Sequence, residues 1–364
     1  MSSPPQGEGW RPGDPHGSGP PWQQGPWLHP PGPPPPTGNG IKWLLGAVAV
    51  LLVIAIAVGI TVIVMSRGGD SGPSASPTGA AADIASANDT GPVSVITDEP
   101  TCNTFVGINN SLSDIEAKGW GAQRAALGPS SRWTAGQRSE VEEVASAMRN
   151  AADQAAPLIR VTRHRIIREL FEQFVAYGRA YANTVANYKP ANNGLASANV
   201  NAASALIGIC NSISYGAASR SIATKPAPPP SGSVVIGDPE NPSTFLIEPS
   251  SACSKFEQLF EAFNSQTANW QALDSGVSAS QWTPEQRATQ EAAMQPISAW
   301  ADGLEASGRA SGNQVLEDFA VTAAVYLRTY ATIGDSYASN DGWLSFTSFR
   351  LNNLILGACK GAAG

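Results

Sequence analysis

Apolar positions along the chain fall into two patterns. Trp43 to Met65 is an unbroken apolar run of 23 residues without a charge, with Thr61 its only polar side chain. From Cys102 onward, apolar residues instead recur at spacings of 3 and 4, the period of amphipathic helices. Cys102, Phe105, Ile108, Leu112 and Ile115 mark a first helix over about 102–117. A second opens at Thr134, which forms a capping box with Gln137, and carries Val141, Val144, Met148, Ala151 and Ala155 on its inward face. The third, about Val161 to Tyr188, has the stripe Ile166, Leu170, Phe174, Tyr177, Tyr181 and Tyr188, and Pro190 is expected to stop it. The fourth, about Leu195 to Ser214, is expected to bury Leu195, Val200, Ala203, Leu206, Ile207 and Cys210.

The same pattern then returns. Shifted by 149 residues, Trp133 to Cys210 falls on Trp282 to Cys359 without a gap, with 16 identities over 78 positions. Trp-Thr-x-x-Gln-Arg opens both copies. Tyr177-x-Arg179-x-Tyr181 matches Tyr326-x-Arg328-x-Tyr330, and Gly208 and Cys210 match Gly357 and Cys359. The second inward face reads Gln290, Ala293, Ile297, Trp300 and Leu304, so residue volume is redistributed while spacing is kept. A fixed period of this kind marks a duplicated module. In both copies the position expected to complete a hydrophobic staple is Arg, so Trp133 and Trp282 are predicted to stack on Arg138 and Arg287 instead. Each copy holds two cysteines. In an up-down-up-down bundle the first helix starts at the end where the fourth finishes, which predicts Cys102–Cys210 and Cys253–Cys359 bridges. Each would close a loop worth up to ~4.7 kcal/mol in chain entropy.

The predicted fold class is therefore an all-α ectodomain of two tandem disulfide-pinned four-helix modules. They follow a disordered tail and one transmembrane helix. Residues 1–40, with 13 Pro and nine Gly, form a Pro/Gly-rich tail unable to offset its ordering entropy. Pro31 to Pro36 favours polyproline II, a form suited to docking a cytoplasmic partner. Residues 41–65 are long enough to span ~30 Å of hydrocarbon. Residues 66–100 read as a flexible extracytoplasmic stalk. Module 1 occupies 101–222, a Pro-rich linker 223–251, and module 2 252–364. Val234 to Ile236 and Thr244 to Ile247 are candidates for a small hairpin. Lys42 against Arg67 leaves orientation undecided by charge. The cysteine pairs place the modules in an oxidising compartment and the tail in the cytoplasm.

Composition narrows the function. The net charge of -7 gives a nucleic-acid partner no support. Residues 101–222 carry a net +4 and residues 250–364 a net -5. The positive excess concentrates in Arg160, Arg163, His164, Arg165 and Arg168, five basic residues in nine. This segment reads as an anion or lipid-headgroup patch, as a surface docking module 1 on module 2, or as a solvated helix face. Arg179 and Arg328 are candidates for ion pairs with Asp153 and Asp302, which also recur. Signals for catalysis are missing: no metal-spaced His/Cys/Asp set, no phosphate-cradling Gly-rich loop and no nucleophile elbow. The adjacent acids Glu142-Glu143 and Glu317-Asp318 read as surface residues. No catalytic, cofactor or metal residue is assigned.

In its layout of tail, span, stalk and outer domain, the chain resembles uncharacterised proline-rich single-pass membrane proteins of actinobacteria. The resemblance carries no functional residues. The expected role is a non-enzymatic binding protein of the cell envelope, integral to the plasma membrane, whose modules contact a protein, lipid or wall component. The alternative is a ligand sensor that signals through a partner, and an envelope enzyme is the weakest reading.

Overall fold

The computed structural model describes residues 83–232 and 236–363, and the helical period of the sequence appears there as eight long helices. In the first half these are α1 (Cys102–Glu116), α2 (Ala135–Ala155), α3 (Arg165–Thr184) and α4 (Asn193–Ser214). In the second they are α5 (Ala252–Gln271), α6 (Pro284–Arg309), α7 (Gln314–Ile333) and α8 (Gly342–Ala362). Within each half every helix packs on the next, and the fourth on the first, which makes a closed four-helix arrangement. No strand is present among the described residues. An isolated antiparallel bridge joins Val93 to Ala227.

Local chemistry repeats nearly atom for atom. The Thr134 and Thr283 hydroxyls accept from the Gln137 and Gln286 backbone N–H groups, and both capping boxes are complete. The Arg138 guanidinium lies 5.6 Å from the Trp133 ring and that of Arg287 5.8 Å from Trp282. The two indoles donate to the Gly128 and Val277 carbonyls, which stand at the same 149-residue offset. Both second-helix faces are buried as their spacing predicts, Val141 to Ala155 and Gln290 to Leu304. Disulfides join Cys102 to Cys210 and Cys253 to Cys359, with Cα–Cα distances of 5.4 and 5.7 Å.

Three expectations change. The third helix begins at Arg165 rather than near Val161. Leu158–Val161 forms a separate turn, and Thr162 and His164 are extended. The buried Glu99 carboxylate accepts from the Thr162 hydroxyl at 2.7 Å and holds that break. The helix ends at Thr184, and Pro190 opens a later turn instead of stopping it. The hairpin is not formed: residues 236–247 contain no strand, and residues 233–235 lie outside the described residues. The expectation of a flexible stalk over 66–100 also fails where that segment is described, since Ile84, Val93, Val95 and Ile96 are buried, and the Pro-rich linker over 223–251 buries Ala227 and Leu246.

The tail at 1–40, the span at 41–65 and the stalk as far as residue 82 lie outside the described residues. The expectation of a single-pass plasma-membrane protein is corrected here. Among the described residues no helix is long and apolar enough to cross a membrane, because their apolar positions form stripes facing a protein core. Two formed disulfides suggest an extracytoplasmic location.

The sequence left open whether the halves pack together. They form one unit over Ile84–Gly364, built around α4 and α8. Of its predicted stripe α4 buries Ala203, Leu206 and Cys210 and leaves Leu195, Val200 and Ile207 half-buried; it also buries Ala196, Ala198, Ala202 and Ala205, because it faces α8 as well as its own bundle. A Cβ on Gly208 would lie 2.5 Å from Thr347 Oγ1, and one on Gly357 would lie 2.7 Å from the Ala198 nitrogen. Residue numbers rise along one helix as they fall along the other, so the pair is antiparallel. The 149-residue offset exchanges the two contacts, which relates the halves by an approximate two-fold axis. The glycines retained in both copies thus sit where the two helices approach closely, and a Cβ on Gly194 would come closer still to the Gly361 nitrogen. Gly357→Ala is expected to destabilise the chain by about 1–3 kcal/mol through overpacking in urea unfolding. Gly107→Ala, on an exposed helix face with nothing within 4 Å of its added methyl, is expected to be neutral or to stabilise by up to ~1 kcal/mol.

Candidate functional site

The basic segment singled out in the sequence divides between surface and interior. Arg163 is exposed and His164 half-buried. The His164 Nε2 lies 2.8 Å from the Asp98 carbonyl oxygen. Arg160 reaches Glu240 of the connecting segment at 3.5 Å. Arg165 and Arg168 are buried and do not contribute to a solvent-facing cationic patch. The extended residues before α3 turn its first basic side chains toward α7 and away from water.

Arg165 meets Asp318 of α7 in a two-pronged pair, Nε to Oδ2 at 2.9 Å and Nη2 to Oδ1 at 3.1 Å. Its remaining donor reaches the Asp89 carbonyl at 2.6 Å, and the Asp89 carboxylate accepts from the Arg165 backbone N–H at 2.7 Å. Arg168 lies 3.3 Å from both Glu169 and Glu172. A fork of this geometry suits guanidinium–carboxylate pairing across two elements. Of the readings open for this segment, docking one half on the other is what Arg165 does, while Arg168 pairs within its own helix.

Sequence reasoning placed Glu317 and Asp318 at the surface, yet both are buried. Glu317 accepts from Arg309 and from the Ser231 hydroxyl. Glu169 and Asp318 occupy equivalent positions in the repeat, so the two-fold brings two acids together within hydrogen-bonding reach. Two adjacent buried carboxylates cannot both ionise at ordinary cost. Burial raises both pKa values, and Glu169 well above the usual carboxylate range. Its second oxygen has no hydrogen-bond partner. Glu172, pushed up to about 7 by burial against the opposing pull of Arg168, belongs to the same cluster. The signal was present in the sequence: positions 169 and 318 are both acidic at the repeat offset.

Two connecting segments bridge α3 and α7. Ile96 N–H donates to the Tyr326 hydroxyl of the opposite half at 3.2 Å. Phe245, ahead of the second half, donates its N–H to Gln173 at 2.9 Å and accepts from Asn313 at 2.7 Å. Its ring meets Tyr177 and Phe319 edge-on at 5.9 and 5.6 Å. The repeated tyrosines therefore anchor these bridging segments. Arg179 and Arg328 pair with Asp153 and Asp302 at 2.7 Å each, as their recurrence predicts. Among the described residues no group of three His, Cys, Asp or Glu side chains is placed to hold a metal ion.

A disulfide-pinned helical repeat whose halves dock through buried ion pairs is thus the class of protein in view. The chain belongs to the family described as Mycobacterial ESX-1 associated protein, whose family model matches residues 84–364. It is 39% identical over 347 residues to an uncharacterised protein of Mycolicibacterium smegmatis (strain MKD8), covering 93% of this chain and 91% of that one. No solved structure matches. The actinobacterial relationship expected from the layout is thereby shown.

Removing one member of a buried pair leaves the other charge uncompensated, at about 3–5 kcal/mol, whereas an exposed pair is worth ~1 kcal/mol or less. Arg165→Met is accordingly expected to lower stability several-fold more than Arg179→Met in denaturant titrations. The carboxyl shifts give a second expectation. An acid whose pKa is raised in the folded state binds a proton that the unfolded chain releases. It therefore stabilises the fold at low pH, and that contribution is lost as pH rises through the folded value. Glu172 and Glu116, each raised to about 7, should make Tm fall between about pH 5 and pH 7.5, at roughly 2–4 °C per kcal/mol lost. Glu172→Gln should flatten that slope in calorimetry.

Proposed function

We propose that the chain is a secretion-system-related protein of the cell envelope that acts by binding outside the cytoplasm rather than by catalysis. The observation that carries this reading is the family match, which spans the compact helical unit and both disulfides. The family is described as associated with ESX-1, so the partner class is a component or cargo of that secretion system. A binding role is supported by how the ionisable groups are used. Arg165 and Asp318 are committed to holding the halves together, Arg168 to Glu169 and Glu172 within α3, and the repeated Arg179 and Arg328 to pairs with Asp153 and Asp302. What the molecule presents outward is a rigid, doubly cross-linked helical body.

Deleting the homologous gene in M. smegmatis, and complementing it with this chain, tests the reading. Secretion through ESX-1 should fall on deletion and recover on complementation. Crosslinking of the complementing chain in intact cells should recover an ESX-1 component. Unchanged secretion, together with crosslinks to no component of that system, would sink the proposal.

A further inference from the structure

We propose that the cleft between α1 and α4 binds a small organic ammonium, with its nitrogen on Glu116 and its carbon body against Leu112, Val200, Ile207 and Phe346. The cleft is a cavity of about 100 Å³ that draws one wall from each of α1 and α4 and is closed by Phe346 of α8. Its existence follows from a difference between the copies. Val200 corresponds to Phe349 in the repeat. There the larger ring fills the matching seam, lying 5.2 Å from Trp300 and 5.6 Å from Phe263. Counted from the paired cysteines, Asn109 corresponds to Phe260 and Glu116 to Thr267. Thr267 turns its hydroxyl back onto the Phe263 carbonyl at 2.7 Å. The second half therefore closes this seam with aromatic rings and no charge, whereas the first leaves a space and lines it with a carboxyl group.

Glu116 selects the ligand chemistry. Its carboxyl lines the cleft; Oε1 is shut off from solvent without a hydrogen-bond donor, so a ligand meets the carboxyl through Oε2, and no Lys or Arg nitrogen of the described residues lies within 4.0 Å of either oxygen. A carboxyl taken this far out of water with no cation in contact is costly unless a partner supplies one. The remaining polar walls, Asn109, Ser113 and Ser204, are neutral. An ammonium group supplies both an N–H and the opposite charge. The ionised carboxyl repels an anionic ligand, and a neutral alcohol brings no positive charge to it; Arg124, whose charge partly opposes the effect of burial on Glu116, acts from beyond ion-pair distance. Size sets the carbon body. An apolar cavity of roughly 150 Å³ holds benzene, so this one suits a chain of about four carbons.

The test is a chemical-shift titration of the full chain with n-butylammonium chloride, and with 1-butanol as the neutral isostere. Saturable binding of n-butylammonium is expected, at least tenfold tighter than 1-butanol. Glu116→Gln should weaken it at least tenfold, and Val200→Phe, which copies the second half, should do the same while both disulfides stay formed. Glu116→Gln keeps the cavity and the side-chain size, so it decides the matter should Val200→Phe not fold. Absence of saturation by the wild-type chain would overturn the proposal. So would equal affinity for the alcohol, or undiminished binding by Glu116→Gln.

Discussion

The antiparallel contact of α4 with α8 is the constraint on which the rest of the molecule depends. Where two helix backbones approach this closely, at least one residue of each facing pair must lack a side chain. Gly208 and Gly357 meet that condition, with Ala198 and Thr347 opposite them. Small residues gain little from burial one by one, at ~25 cal/mol per Å², but they let two backbones pack at interior density over a long interface. Once this pair is set, α3 and α7 are brought near each other on the same side of the two-fold. Their facing residues then have to be reconciled, and the buried charge cluster is the result.

That cluster shows what duplication does to electrostatics. An acid at one position of an ancestral module becomes two acids facing across a two-fold axis, Glu169 and Asp318. Nothing in a symmetric pair of acids relieves the repulsion. Relief comes from what the copies do not share: Arg165 and Arg168 stand where the second copy has Gln314 and Glu317. One charge of each sign, Arg165 from the first half and Asp318 from the second, is thus paired at the surface the halves hide from water. Pairing two charges there does not add much stability over an apolar contact, but it penalises any register in which Arg165 fails to meet Asp318. The connecting segments reinforce the same register, because Ile96 and Phe245 each engage the half that follows the other segment.

Elements governed by local chemistry were legible from sequence. Capping boxes, stacked Trp–Arg pairs, second-helix faces and both disulfides depend on residues close in sequence or at fixed bundle positions, and all are present as read. Elements governed by the docking of the halves were not. The extra buried face of α4 looks, in a list of alanines and serines, like an ordinary helix surface. Arg165 and Arg168 look like a cationic patch until Asp318 is placed opposite them. The packed stretch from Ile84 to Ile96 reads as a linker because its apolar residues are few and are buried against both halves, not within a helix period. Only the paired acids at 169 and 318 left a trace that the repeat alignment could have exposed.

The two copies have kept their architecture by different means. The second fills its first-to-fourth helix seam with Phe260, Phe263 and Phe349 and stacks Trp300 on Phe263 at 4.1 Å. The first has Asn109, Leu112, Val200 and Ala151 at those places. A seam without large rings loses contact area that the helices alone do not replace. The Cys102–Cys210 bridge supplies a tether there that does not depend on side-chain volume. In the second half the same bridge acts beside a packed aromatic core. Two modules tied by equivalent disulfides can therefore diverge in their interiors, one toward packing and one toward an opening, without loss of the common frame. That divergence, more than the shared residues, separates the roles the two halves are able to take.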